Sequence, residues 1–176
     1  RLISSAASDV YKRQESYPKI GAKEAYIDAF TMWLVRDPED LDVVVLPNMF
    51  GDIATDLASV LQGGMGMAAS ANLGDKHMMF EPVHGSSPKH AGKNRVNPIA
   101  MLSSLQLMLE NLSLRHDDPL LDKYGNILQQ SISQHLSSDG PKTYDIGGTG
   151  TTSEVGDAIA DSCLLYTSPS PRDSLS

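Results

Sequence analysis

Two aspartates in the middle of the chain are spaced so that they could hold a metal ion. Asp52 and Asp56 lie four residues apart, shortly after the apolar run 43–46. On a helix this spacing puts both carboxylates on one face, with Cβ atoms about 5–6 Å apart, where two like charges repel unless a cation lies between them. Oxygen ligands with no cysteine or histidine nearby suit Mg²⁺ or Mn²⁺ rather than zinc. The alternative is that both acids lie in the first turn of a helix, where the helix dipole favours them.

The segment 81–98, EPVHGSSPKHAGKNRVNP, has the composition of an anion-binding loop. Its glycine and serine amides could form a concave nest for an anion. These residues are Gly85, Ser86 and Ser87. Its cationic side chains contrast with the acidic remainder of the chain, and they are Lys89, Lys93 and Arg95. The pattern favours a ligand that carries phosphate, and the alternative is an ordinary polar surface loop.

Two further patterns are not expected to carry chemistry. The segment 64–69, GMGMAA, matches the G-x-G-x-x-A dinucleotide fingerprint, but that fingerprint needs a strand before it and a helix after it. Here a helix is predicted before the segment and a turn with Asn72 and Gly74 follows it. A zinc site from the three loop histidines is not expected, because no two share a helical face and no thiolate assists. The histidines are His77, His84 and His90.

The elements that must position these residues are mostly helical. Apolar side chains recur at spacings of three and four, the period of an amphipathic helix, in the segments 22–35, 50–62, 97–112 and 119–136. Asn97 and Pro98 are an N-cap and a first-turn proline for the third segment. Thr151 and Glu154 have the spacing of a capping box and predict a last helix. The apolar face of the helix 50–62 consists of Ile53, Leu57, Val60 and Leu61.

The predicted fold class is α/β, helix-rich with a few short strands. The run Val43–Leu46 is short, β-branched and continuous, which predicts a strand buried on both faces, as in a parallel sheet. Residues 63–97 are rich in Gly, Pro, Asn and His and predict a long loop of functional importance, with one apolar piece, MMFEPV. The helix 97–112 carries enough polar residues to be a core helix rather than a membrane or partner-binding one.

Composition bounds the function classes. The 176 residues hold 14 Lys and Arg against 22 Asp and Glu, a net charge of −8, so we expect no nucleic-acid partner, since phosphate binding needs clustered cations. No apolar run reaches the roughly 20 residues of a membrane span, so we expect no membrane partner. The single cysteine, Cys163, cannot form an intramolecular disulfide, which favours a reducing compartment, the cytoplasm.

The two ends differ in character from the middle of the chain. Residues 1–14 and 163–176 show no hydrophobic period and resemble translated adapter sequence, and the second stretch is rich in Ser and Pro. We interpret both as non-native and predict that residues 15–162 are the folded part. The alternative is a pair of native disordered tails.

Several motifs, in order and spacing, resemble the β-decarboxylating dehydrogenases, the family of isopropylmalate, isocitrate, homoisocitrate and tartrate/malate dehydrogenases. The motifs are YP at 17–18, YIDA at 26–29, DVVV at 42–45, NMFGDI at 48–53 with Asp56, SANLG at 70–74, FEPVHGS at 80–86, AGKN at 91–94, VNP at 96–98 and DIGGTGTTSEVGDAI at 145–159. The resemblance covers residues 15–161, the C-terminal portion of such an enzyme, and implies part of its two-domain α/β fold.

The resemblance also implies a site and a reaction. It assigns Asp52 and Asp56 to Mg²⁺ or Mn²⁺, and Asp28, by itself only a surface acid, to the metal site of a partner subunit in a homodimer with shared active sites. The matching adenosine and phosphate loop is formed by His84, Gly85, Ser86, Ser87, Pro88 and Asn97. The implied reaction transfers a hydride from a small 2-hydroxy acid to NAD or NADP and then releases the β-carboxylate.

One departure from the family bears on the cofactor. NAD-using members commonly have an Asp after the HGSxP run, where it accepts hydrogen bonds from the ribose hydroxyls. This chain has Lys89 there, followed by His90. A lysine attracts a 2′-phosphate and a histidine can hydrogen-bond to it, so the sequence favours NADP over NAD as the cofactor.

The substrate stays open between members of the family. Its substrate-reading arginines and its Tyr and Lys acid–base pair belong to the portion before these motifs, so we expect no catalytic residues here beyond the metal carboxylates, and no turnover by the chain alone. FEPVHGS and QGGMG favour isopropylmalate, which would place the enzyme in leucine biosynthesis, whereas SANLG and PKHAGKN favour isocitrate. The other classes left open are an unrelated Mg²⁺ enzyme that acts on phosphates and a non-catalytic, dimerising and cofactor-binding fragment.

Overall fold

A computed structural model describes residues 16–167 of the chain. The chain forms two compact units, one up to Phe50 and one from Gly51. The helices are α1 (Ile27–Arg36), α2 (Asn48–Leu61), α3 (Ile99–His116), α4 (Pro119–Ser137) and α5 (Thr152–Thr167). The strands are β1 (Ala69–Leu73) and β2 (Met78–Pro82), and 3₁₀ turns lie at Pro38–Asp40, Pro88–His90 and Tyr144–Ile146. The α/β, helix-rich fold class is confirmed.

The core of the second unit is formed by α3, α4 and α5. Its buried members are Ile99, Leu128, Ile132, Val155 and Ile159. The helix α4 packs against both α3 and α5, while α3 also packs against both strands. Every buried side chain in this set lies on a predicted helical face or, for α5, in the segment after the predicted capping box, so the helical period identified the core of this unit.

The long loop predicted over residues 63–97 contains a β-hairpin, which corrects the sequence-based expectation. β1 and β2 pair antiparallel, with Ala69 opposite Pro82 and Leu73 opposite Met78. Along β2 the side chains alternate between half-buried and exposed, the pattern of a strand with one solvated face. In the sequence this strand reads MMFEP. Its first three residues are all apolar, so no alternation of apolar and polar residues distinguishes it from an apolar piece of loop.

The prediction of a buried strand at Val43–Leu46 is wrong. The segment pairs with no strand among residues 16–167, and Val43 and Val45 are 82% and 79% exposed. A strand needs a neighbouring strand to satisfy its backbone N–H and C=O groups. A β-branched run indicates only that the segment tolerates the strand conformation. The described part of the chain supplies no such neighbour.

The apolar face predicted for α2 is largely exposed as well. Ile53, Val60 and Leu61 lie on the surface, whereas the buried positions of this helix are Ala54 and Ser59. The spacing of apolar residues therefore predicted a helix correctly, but the face of α2 that is buried within this chain differs from the predicted apolar face.

The ends of the other helices follow local chemistry. The side chain of Asn97 accepts a hydrogen bond from the N–H of Ile99 at 3.0 Å, as predicted for the start of α3. Thr151 and Glu154 form the predicted capping box, with the N–H of Thr151 donating to Glu154 at 2.8 Å and the N–H of Glu154 donating to the Thr151 hydroxyl at 3.3 Å. α5 continues past residue 162 to Thr167. No helix among residues 16–167 is long and apolar enough to cross a membrane.

Candidate functional site

The carboxylates of Asp52 and Asp56 are exposed on successive turns of α2. The helix begins at Asn48, so neither acid lies in the first turn. The favourable effect of the helix dipole falls off within that turn, so the dipole does not account for acids at these two positions. Two like charges at this spacing repel. The pair offers two anionic oxygen donors on one helical face, the donor type that a hard divalent cation takes, and its assignment to a metal stays a prediction.

Asp28 has a local role in the structure. It lies in the first turn of α1, where the dipole favours an acid, and its side chain accepts a hydrogen bond from the N–H of Ala29 at 2.8 Å. The side chain is exposed. Within residues 16–167 no three His, Cys, Asp or Glu side chains come together in a group that could hold a metal ion. The assignment of Asp28 to a metal site stays a prediction.

The predicted phosphate loop, residues 84–97, is built around a short 3₁₀ turn. Ser87 has a φ of +44°, in the left-handed region, and precedes the turn Pro88–His90. Its hydroxyl lies 2.8 Å from Nδ1 of His90. Nδ1 of His84 lies 2.9 Å from the carbonyl oxygen of Gly85, so that nitrogen carries the proton. Both histidines are thus fixed by hydrogen bonds within the loop.

Tyr144 is a site residue that the sequence reasoning missed. Its ring stacks on that of His90, with centroids 5.9 Å apart, and its hydroxyl lies 3.3 Å from Nε2 of His90. The guanidinium of Arg95 lies over the same ring, 4.3 Å from its centroid. In neutral His90 one ring nitrogen donates and the other accepts, so the hydroxyls of Ser87 and Tyr144 take opposite roles.

A cavity with two cationic side chains on its wall opens beside these residues. It has a volume of about 330 Å³ and lies between residues 93–95, Tyr144 and the glycine-rich residues 148–151. Two cations, Lys93 and Arg95, lie on its wall together with the phenol of Tyr144. The two cations suit an anionic or phosphorylated group. The assignment of the loop to phosphate binding stays a prediction.

Asn97 is fixed where the loop enters α3. It is only 6% exposed, and its amide nitrogen donates to the carboxylate of Asp145 at 3.0 Å. Gly66 packs directly behind this pair, because a Cβ at that position would lie 3.1 Å from Cβ of Asn97. Gly66 therefore serves close packing, whereas Gly64 has open space around its Cβ position. α2 ends before this segment, and β1 begins at its last residue, Ala69. The segment is not a dinucleotide fingerprint, as expected.

Hydrogen bonds at the start of α5 control one titrating group of the site region. The N–H and then the hydroxyl of Thr151 donate to Glu154 and lower the pKa of that exposed carboxyl below its ordinary value. The charged form of Glu154 is therefore part of the cap of α5.

A family of known enzymes matches the chain. The description of this family is isocitrate/isopropylmalate dehydrogenase, and its profile matches residues 2–159. The chain belongs to this family. The match runs through residues 2–14, and the interpretation of residues 1–14 and 163–176 as adapter-derived stays a prediction.

Individual relatives and solved structures agree with the family. The 3-isopropylmalate dehydrogenase of Methanothermobacter thermautotrophicus is 40% identical over 152 residues, which are 86% of this chain and 44% of that protein. The 3-isopropylmalate/3-methylmalate dehydrogenase of Methanocaldococcus jannaschii is 42% identical over 150 residues, 85% of this chain and 43% of that protein. The crystal structure of isocitrate dehydrogenase from Methylococcus capsulatus superimposes with a TM-score of 0.78 at 32% identity, over 87% of this chain and 44% of that one. The chain therefore spans less than half the length of these relatives.

Proposed function

We propose that the complete protein is a metal-dependent β-decarboxylating dehydrogenase that oxidises a 2-hydroxy acid with NADP or NAD. The observation that carries the proposal is the family match over residues 2–159, on a fold that presents a carboxylate pair and a cationic, hydrogen-bonded loop. The test is an assay of the complete protein with Mg²⁺, either nucleotide and each candidate acid. No reduction of either nucleotide with any of these acids would refute the proposal.

We propose that Asp52 and Asp56 hold Mg²⁺ or Mn²⁺. When bound, such an ion supplies Lewis-acid stabilisation of the oxygen that carries negative charge during oxidation and decarboxylation. The residues of the chain contribute two anionic oxygen ligands on one helical face, placed beyond the first turn of α2. We also propose that Asp28, which is exposed on α1, serves the metal site of a second subunit.

Replacing Asp52 tests the metal site. Asp52→Asn should weaken Mn²⁺ binding and lower activity about a hundredfold or more, because one anionic ligand is lost. Binding is measured directly by electron paramagnetic resonance of Mn²⁺, which does not depend on turnover. The matched control is Asp161→Asn, an exposed acid on α5. Unchanged Mn²⁺ binding and turnover in the Asp52 variant would contradict the assignment.

We propose that residues 84–97 bind the adenosine and phosphates of the nucleotide and that NADP is preferred. Supporting this are the exposed cation Lys89, the half-buried His90 beside it, and the further cations that line the neighbouring cavity. When bound, the nucleotide would supply the acceptor for the hydride. The loop's own residues bind and orient the nucleotide through charge and hydrogen bonds.

The nucleotide preference is tested at Lys89. Lys89→Asp should shift the ratio of kcat/KM for NADP over NAD roughly ten- to a hundredfold toward NAD, because it replaces an attraction for the 2′-phosphate with repulsion. Lys123→Asp, on the exposed face of α4, makes the same charge change outside the loop and should leave the ratio unchanged. A wild-type protein that already uses NAD better would show that Lys89 does not select the phosphate.

We propose 3-isopropylmalate as the substrate, with isocitrate, homoisocitrate or tartrate as the alternatives. Relatives with 40–42% identity carry the name 3-isopropylmalate dehydrogenase or 3-isopropylmalate/3-methylmalate dehydrogenase, whereas the structural match at TM-score 0.78 is an isocitrate dehydrogenase. The discriminating measurement is kcat/KM of the complete protein for each acid at a fixed metal and nucleotide concentration. A higher value for isocitrate would overturn the assignment.

We propose that the complete protein is a homodimer. Exposed apolar side chains on α2, namely Met49, Ile53, Val60 and Leu61, and on α1, namely Met32 and Val35, support this proposal, since large exposed apolar patches mark interfaces. Light scattering of the complete protein tests it, with Val60→Asp as the disrupting variant. A monomeric wild type would refute the proposal.

The second candidate function is that of a non-catalytic fragment, and it is favoured only if the 176-residue chain exists alone. For that chain we expect binding of nucleotide without turnover.

A further inference from the structure

Asn94 lies where the nucleotide-binding loop touches the start of α5. Its backbone has a φ of +49°, in the left-handed region that asparagine adopts more readily than most residues. Its side-chain oxygen accepts two hydrogen bonds from Ser153, one from the N–H at 3.1 Å and one from the hydroxyl at 3.0 Å. The first of these satisfies an amide that has no partner inside its own helix.

The neighbouring backbone strengthens this attachment. The N–H of Thr152 donates to the carbonyl oxygen of Asn94 at 3.1 Å, and the hydroxyl of Thr152 donates to the carbonyl oxygen of Val96 at 2.5 Å. The helix that receives the loop is itself fixed, because Val155 and Ile159 of α5 are fully buried in the core. The loop is thus tied to a helix that packs into the core of the unit.

Arg95 links Asn94 to the side chains that we propose bind the nucleotide. Arg95 follows Asn94 directly and lies over the ring of Tyr144. Tyr144 in turn stacks on His90 and shares a hydrogen bond with it. The position of Asn94 therefore determines where Arg95 lies, and through Arg95 it affects the contacts with Tyr144 and His90.

We propose that Asn94 is a positioning residue, whose side-chain hydrogen bonds to Ser153 hold the loop 84–97 in the conformation that receives the nucleotide. The proposal rests on the proposed function. A loop that is already ordered loses less conformational entropy on binding, so the hydrogen bonds of Asn94 contribute to nucleotide affinity and not to the chemical step.

The test compares three variants of the complete protein. Asn94→Gly removes the side-chain acceptor but keeps a residue that adopts positive φ without strain. Asn94→Asp keeps an acceptor at the same place. Asn126→Ala is the control, because the side chain of this exposed asparagine donates to Asp122 of its own helix, away from the loop.

Kinetics give the first result. Asn94→Gly should raise KM for NADP roughly five- to thirtyfold, the effect of losing one or two hydrogen bonds. The kcat and the KM for the hydroxy acid should stay within about twofold of wild type, as expected when only ground-state binding changes. A fall in kcat with an unchanged KM for NADP would overturn the proposal.

Hydrogen exchange of the protein without nucleotide gives the second result. The amides of residues 89–96 should exchange faster in Asn94→Gly, and exchange in Asn94→Asp should return to that of wild type. Unchanged exchange in Asn94→Gly would overturn the proposal even if the protein is an active dehydrogenase. If wild type binds neither NADP nor NAD, the proposed function fails and this proposal with it, whereas a failure of Asn94 alone leaves wild-type binding intact.

Discussion

Gly148 occupies a position in the loop before α5 where no side chain fits. A Cβ built there would lie against the backbone carbonyl of Lys142, well under the 3.0 Å that real Cβ atoms keep. Both sides of this contact are held by hydrogen bonds: Gly148 N–H donates to Thr143 at 2.9 Å, and Gly150 N–H donates to Lys142 at 2.7 Å. Gly148→Ala must therefore displace backbone and break these bonds, at a cost of about 2–4 kcal/mol.

Two other glycines are matched controls for this substitution. Gly147 has a φ of +84° and open space around its Cβ position, so Gly147→Ala should cost only the left-handed strain of about 1–2 kcal/mol. Gly156 lies in α5 with open space around it, and Gly156→Ala should stabilise by about 0.5–1 kcal/mol because alanine favours the helix. The series separates a steric clash from backbone strain and from helix propensity.

The assay for the glycine series is urea unfolding followed by far-ultraviolet circular dichroism. With a denaturant slope of about 2 kcal/mol per molar, Gly148→Ala should lower the midpoint by about 1–2 M, Gly147→Ala should lower it less, and Gly156→Ala should raise it. Amide exchange at Gly150 reports whether the loop itself has opened. If Gly148→Ala unfolds at the wild-type midpoint with the Gly150 amide still protected, the close approach to Lys142 does not exist in solution.

Two further predictions concern the ends of α5 and α3. The pKa of Glu154 is lowered in the folded protein, so its stabilisation of the cap is complete above the ordinary pKa of about 4.3 and is lost as the pH falls through the lower folded value. Amide exchange at the start of α5 should therefore rise in acid. Glu154→Gln should abolish this rise. Arg115 donates two hydrogen bonds to carbonyl oxygens in the hairpin turn, at 2.7 and 3.2 Å, so Arg115→Met should lower the free energy of unfolding by about 1 kcal/mol. Turn amides that exchange as in wild type would contradict this.

The features that could be predicted from the sequence depend on residues close together in the chain. The caps at Asn97 and at Thr151–Glu154 involve atoms at most three residues apart, and the Asp52–Asp56 pair needs only a helix to bring it together. These follow from local chemistry, whatever the rest of the molecule does.

The features that could not be predicted depend on distant partners. The contact between His90 and Tyr144 joins residues 54 positions apart, and nothing in either local sequence indicates the other. The run Val43–Leu46 has the composition of a buried strand, but burial requires neighbouring strands. The composition of a segment indicates which secondary structure it tolerates. Whether that secondary structure forms depends on the neighbouring segments that pair with it.

The connection between α3 and α4 has a consequence for how the second unit folds. α3 ends at His116 and α4 begins at Pro119, so only Asp117 and Asp118 separate two helices that pack along each other. Closing so short a connection costs little chain entropy, and contacts between sequence neighbours favour fast folding, roughly in microseconds to milliseconds. We therefore expect the helical hairpin of α3 and α4 to form the folding nucleus. α5 should then pack against this hairpin in a later step.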